Sequence, residues 1–80
     1  SAAKAIQVLA DGEAAAYAAE YEERLLLLND PEITDVVLTP FTHQPAMIYT
    51  GDLPGDPEDP TSKKTAQYFG KNSIYVDYSN

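Results

Sequence analysis

The 80-residue chain contains no cysteine. That single absence removes disulfides, thiolate metal sites and a cysteine nucleophile. It is compatible with a reducing, cytoplasmic compartment but does not fix one, because many exported proteins also lack cysteine. Basic residues are scarce, five against thirteen acids, for a formal net charge of −8. A body of that sign repels phosphate backbones, so direct nucleic-acid binding is not expected and the charge serves mainly solubility. Long apolar runs are missing as well. No stretch approaches the roughly 20 residues that span a bilayer, so no membrane insertion is expected. The alanine-rich start is interrupted by polar residues too often for a signal-peptide core, and Ser1 fits a natural, a processed or an engineered start equally.

Histidine is nearly absent too. His43, the only one, sits in "FTHQP" with no local orienting partner, and it reads as a turn residue rather than a general base. A lone histidine does not build a zinc site. There is no nucleophile elbow, no phosphate-binding glycine loop and no dinucleotide fingerprint. No catalytic, cofactor-binding or metal-binding residue is therefore assigned, and enzyme is the least favoured class. A chain this short is one small domain with a marginal core, in which a large enclosed pocket is hard to build.

What the chain does have is helix-forming residues at its start. Ala14, Tyr17, Ala18, Tyr21, Leu25 and Leu28 fall at steps of three and four, one apolar stripe that extends back through Ala10, Ile6 and Ala3. Residues 1–29 therefore read as a helical segment, with Glu20 and Arg24 a favourable pair four apart. Asp11-Gly12 is its weak point, and one continuous helix is slightly preferred there over two. Twenty-eight helical residues would reach about 40 Å. A globule of this chain length is about 30 Å across. Such a helix overhangs its own domain. Leu25 to Leu28 point all round it, which places the core there.

Three segments read as strands: "TDVVLT" at 34–39, "PAMIYT" at 45–50 and "SIYVDY" at 73–78. The first two suggest a hairpin over 34–50, with Pro45 at a sheet edge. The expected fold is α+β, a long N-terminal helix packed on a small, mostly antiparallel three-stranded sheet. Residues 51–62 carry Pro54, Pro57 and Pro60 among Asp52, Asp56, Glu58 and Asp59, and read as a stiff exposed connector. The calcium-loop spacing is absent from them. Residues 63–80 then give a short helical turn, capped by Thr61 or Ser62 and ended by Gly70, and the last strand. Lys63, Lys64 and Lys71 with Tyr68 and Phe69 are the one basic and aromatic group.

Six tyrosines in 80 residues point toward surfaces that are half dry and half wet, as at interfaces. The expected function is a non-enzymatic assembly or interaction module, a structural or accessory subunit of a larger complex such as a virion component. Its interface would be Ala14, Tyr17, Ala18 and Tyr21, with the loop residues Pro54, Asp56 and Pro57 as a second contact. The partner would be another protein or a further copy of the chain. The competing expectation is an acidic inhibitor that mimics nucleic acid in a basic cleft, with Glu13, Glu20 and Glu23 as its phosphate-like row.

Overall fold

A computed structural model describes residues 12–79. They form α1 (Glu13–Leu28), β1 (Asp35–Leu38), α2 (Pro60–Phe69) and β2 (Ser73–Val76). The two strands pair in parallel, with Val36 opposite Ile74 and Leu38 opposite Val76. The fold is thus a small α+β unit with two helices on a two-stranded parallel sheet. It is not a long helix on a mostly antiparallel three-stranded sheet.

The first difference lies at Gly12. Its backbone is left-handed (φ 79°, ψ −3°), which a right-handed helix cannot include, so α1 starts at Glu13. Glu13 lies in its first turn, where a negative charge meets the positive helix end. Sixteen residues span only about 24 Å, so α1 does not overhang the domain. The stripe positions Ala3, Ile6 and Ala10 lie outside the described residues. At its far end, the Asn29 N–H closes on Leu25 O at 2.9 Å. The leucine run is covered on one side only. Leu28 is buried and Leu25 packs against the core, while Leu26 is 74% exposed and Leu27 37%. Two strands are too narrow to cover more of the helix.

The second difference is the expected strand at 45–50, which is a turn. Ile48 N and Tyr49 N both donate to Pro45 O, at 3.1 and 2.8 Å. The proline ring presets the first residue of that turn, and Met47 and Ile48 are left exposed at its tip. Without a hairpin, β1 finds its partner through a crossover, which a parallel pair requires. α2 supplies it with ten residues, more than one helical turn. Asp59 caps it by accepting from Thr61 N at 2.9 Å, with Pro60 at the first helical position; Thr61 and Ser62 lie inside the helix. Gly70 ends it in a left-handed conformation (φ 68°), as expected, and Lys71 N reaches back to Ala66 O at 2.8 Å.

α1 lies over β1 and α2 over β2. Alternation along both strands sends Val36, Leu38, Ile74 and Val76 to the helix side, where they are almost completely buried with Leu28 and Ala66. Ser62 on α2 is fully buried in the same layer, and its Oγ has no partner among the described residues. The proline-rich segment does more than connect. Pro54 O accepts from Val76 N at 3.1 Å, and Tyr78 Oη donates to Leu53 O at 2.6 Å, so the segment lies against the outer edge of β2. At Gly55 an added Cβ would stand 3.1 Å from the Tyr78 ring and 3.2 Å from Val76 O.

Two substitutions on α2 should move stability in opposite directions. Ser62→Ala removes an unsatisfied buried hydroxyl and should raise the unfolding free energy by about 1 kcal/mol. Gly70→Ala forces a side chain into left-handed backbone and should lower it by about 1 kcal/mol or more. Urea midpoints at an unchanged slope measure both.

Candidate functional site

The inward face of α1 clasps the long segment that follows β1. Arg24 is the centre of this contact. Its Nη1 donates to Asp52 Oδ1 at 2.7 Å, and its Nη2 donates to Asp52 Oδ2 at 2.9 Å and to Thr39 O at 2.7 Å. The guanidinium also lies over the Phe41 ring, 3.7 Å from its centroid. The two side chains are only 12% and 6% exposed. Asp52 further accepts from Leu53 N at 2.7 Å and Phe41 N at 3.4 Å, which fills its acceptor sites.

One helical turn earlier, Glu20 binds the same segment. Its Oε2 accepts from Thr42 N and Thr42 Oγ1 at 3.0 and 2.9 Å, and its Oε1 from His43 N at 2.9 Å. Glu13 extends the row, with Oε1 accepting from Gln44 N at 3.2 Å and Oε2 standing 3.2 Å from His43 Nδ1. The expected Glu20–Arg24 pair is therefore not what these residues form. Each reaches across to the loop instead, because bonds to backbone groups and a half-buried carboxylate are stronger than an exposed pair along one helix.

The electrostatics follow from this bonding. Partial burial pushes the Asp52 carboxyl up, but the Arg24 guanidinium and the Leu53 and Phe41 N–H groups outweigh it, and the pKa lies below the usual carboxylate value. Glu20 behaves the same way: slight desolvation raises it, the Thr42 and His43 donors lower it further, and the net shift is down. Tyr78 is shifted up, by burial first and by the nearby Asp52 charge second.

Between α1, the Phe41–Leu53 loop and α2 lies a cleft of about 450 Å³. Tyr17, Tyr21 and Phe41 form its aromatic wall, Leu25, Leu53 and Phe69 its apolar floor, and Thr50 and Thr65 its hydroxyls, of which Thr65 Oγ1 donates to Thr61 O at 2.8 Å. Tyr17 is the hub of the aromatic wall, 4.8 Å from Phe41 and 6.1 Å from both Tyr21 and Tyr49 between ring centroids. Among the described residues the charges lining the cleft are Arg24 and Asp52, which neutralise each other. It therefore presents mainly ring faces and apolar surface. His43 is not among the residues that line it.

The interface residues named from sequence are dispersed by the fold. Ala14 is buried, Tyr17 is half-buried within its own aromatic group, Ala18 is exposed and Tyr21 is 48% exposed. In the loop, Asp56 is exposed and accepts from Glu58 N at 2.9 Å, and Pro54 and Pro57 are half-buried. The loop acids serve separate tasks: Asp52 on Arg24, Asp56 in a turn, Asp59 as a helix cap. Among the described residues no three potential ligands gather to hold a metal ion. The basic and aromatic group also divides. Lys71 turns inward to the carbonyls of Asp30 and Ile33, Lys63 lies 3.9 Å from Glu58, and Tyr68 is 83% exposed against Phe69. Sequence pattern alone does not mark Arg24, Phe41, Tyr49 or Asp52 as site residues. The one available signal was that Arg24 is the sole arginine of an acidic chain. No helix of the described residues is long and apolar enough to cross a membrane.

The clamp should show in acid. A carboxyl whose folded pKa is depressed contributes stability fully above its unfolded value, near about 4, and loses it as pH falls through the folded value. Asp52→Ala should cost about 3 kcal/mol at neutral pH, because it leaves a buried guanidinium and two N–H groups unpaired. It should also flatten the loss of stability below about pH 4. Denaturation midpoints across that range measure both effects; an unchanged acid limb would contradict the assignment. No protein-family model matches this chain, and neither the curated proteins nor the solved structures give a match, so its function is argued from the clasped loop and the cleft beside it.

Proposed function

We propose that this protein is a non-enzymatic interaction module, a structural or accessory subunit of a larger complex. The carrying observation is Tyr21, which lines the aromatic cleft while 48% exposed, with exposed Ala18 on the same helix. A rigid ring beside a small residue lets a partner approach closely and gives it an amphipathic anchor to cover. The neutralised charges in the cleft support binding over catalysis, since they offer no free acid, base or nucleophile. The occupant is a protein segment or a further copy of the chain.

The competing role as an acidic mimic of nucleic acid draws less support. Glu13 and Glu20 direct their carboxylates at the chain's own loop, and of the proposed row only Glu23 is left facing solvent.

Light scattering over a range of concentrations tests the self-associating form. A mass above the 8.7 kDa protomer that survives raised salt and reverts on Tyr21→Asp supports it. A photo-crosslinking phenylalanine at position 21, against the same residue at position 68, tests the partner form in cells of the protein's source. Capture at 21 and not at 68 is expected. A chain that stays monomeric and captures nothing selectively at 21 would overturn the reading.

A further inference from the structure

The sheet has one closed edge and one open edge. In the ladder, Thr34 O accepts from Asn72 N and Leu38 O from Asp77 N, so the peptide groups of alternate β1 residues face β2. Those of Asp35 and Val37 consequently face away from it. Among the described residues no group outside the ladder bonds to them. β2 is different, because Pro54 O meets Val76 N and Gly55 packs against Val76 O. An open, flat edge is a template for a further strand, and a parallel sheet of two strands with one bare face is an incomplete example of its class.

The surroundings of that edge select what fits. α1 lies over β1, and its flank carrying Glu20, Glu23, Arg24 and Leu27 lines, with Leu38, Thr39 and Phe41, a hollow of mixed polar and apolar character and about 70 Å³. The hollow sits on the helix-covered side of the strand. Leu27 is 37% exposed there, and it would cover the apolar side chains of an added strand. On the opposite face of the sheet Asp35 and Val37 are exposed, and Ser73 Oγ donates to Asp35 Oδ1 at 2.9 Å. A lysine there could lay its stem on Val37 and bring its charge to Asp35. At this edge a second copy is disfavoured, because its own β1, DVVL, brings a like charge and no basic residue to Asp35.

We propose that the Asp35–Leu38 edge accepts an extended segment of a partner protein by strand addition, and that this segment alternates basic and β-branched apolar residues. Main-chain bonds to Asp35 and Val37 supply register, Leu27 at the hollow covers an apolar side chain, and Asp35 on the exposed face takes a basic one. The hollow shares Arg24, Leu38 and Phe41 with the tyrosine cleft, but Asp35 and Val37 do not line that cleft, and the inference does not rest on the proposed role of Tyr21.

The test is an amide-resolved NMR titration of the full chain with the synthetic peptide acetyl-Lys-Val-Lys-Val-Lys-amide. The Asp35 and Val37 amides should shift and exchange more slowly with solvent. Binding should weaken several-fold when salt rises from about 0.1 M to about 1 M, where the screening length falls from roughly 10 to 3 Å. The same peptide N-methylated at its three central residues, and its glutamate counterpart, should leave these amides unmoved. Silence at Asp35 and Val37, equal shifts from the N-methylated peptide, or shifts confined to the cleft would overturn the proposal. Concentration-dependent shifts of these two amides without peptide would also overturn it, by giving the edge to a second copy.

Discussion

The pairing of Arg24 with Asp52 is the constraint on which the rest of this small structure depends. Residues 39–59 connect β1 to α2 without a regular element of their own, a length at which a loop in a small domain ordinarily needs a specific reason to be ordered. Here the reason is visible. One guanidinium on α1 reaches both ends of the first half of the loop, the carbonyl of Thr39 and the carboxylate of Asp52. Asp52 in turn holds the N–H groups of Phe41 and Leu53. Both of those residues carry apolar side chains into the lining of the cleft. A buried pair of this type is often no better for stability than a well-packed apolar one, yet removing one partner is severe. Its contribution is to allow one loop path and exclude others.

That path determines what the molecule can do. The clamp and the Glu13–Glu20 row fix the loop against α1, so Tyr17 packs inside the aromatic group while Tyr21 stays at the surface. The same arrangement neutralises the charges that the described residues bring to the cleft. What remains outward among the described residues is a ring, a small helix surface and an unpaired strand edge, and these support the proposed binding role. The apolar residues left bare, among them Leu26 and Tyr68, belong to the same incomplete coverage. Two helices on two strands close one face of one sheet and no more.

Local pattern found the elements that are local. The stripe through Ala14, Tyr17, Tyr21, Leu25 and Leu28 does lie on a helix, and the segments 34–39 and 73–78 do contain β1 and β2. Alternation alone could not say whether these strands run parallel, because that depends on what lies between them. The answer was in Asp59-Pro60, a helix cap and first turn that extended a single turn into ten residues. "PAMIYT" failed for a related reason. Its β-branched and aromatic content fits a strand, but Pro45 begins a turn and Tyr49 is drawn back to Tyr17 and Phe41. Gly12 showed its weakness in the sequence, yet only the positive φ decides that the helix starts after it. The site was the least legible part. Arg24 and Asp52 are 28 positions apart, and nothing in the spacing of either announces the other. Glu20 and Arg24 stand at an attractive local distance that the fold does not use.

Native-state hydrogen exchange in Arg24→Met tests the role of this clamp most directly. The Leu53, Thr42 and His43 amides should exchange faster than in the unaltered chain by about tenfold or more, while Val36 and Asp77, whose amides bond within the strand pair, keep protection relative to global unfolding. If all five amides change together, or if the loop amides do not change at all, the guanidinium does not govern the loop and the account of the cleft fails with it.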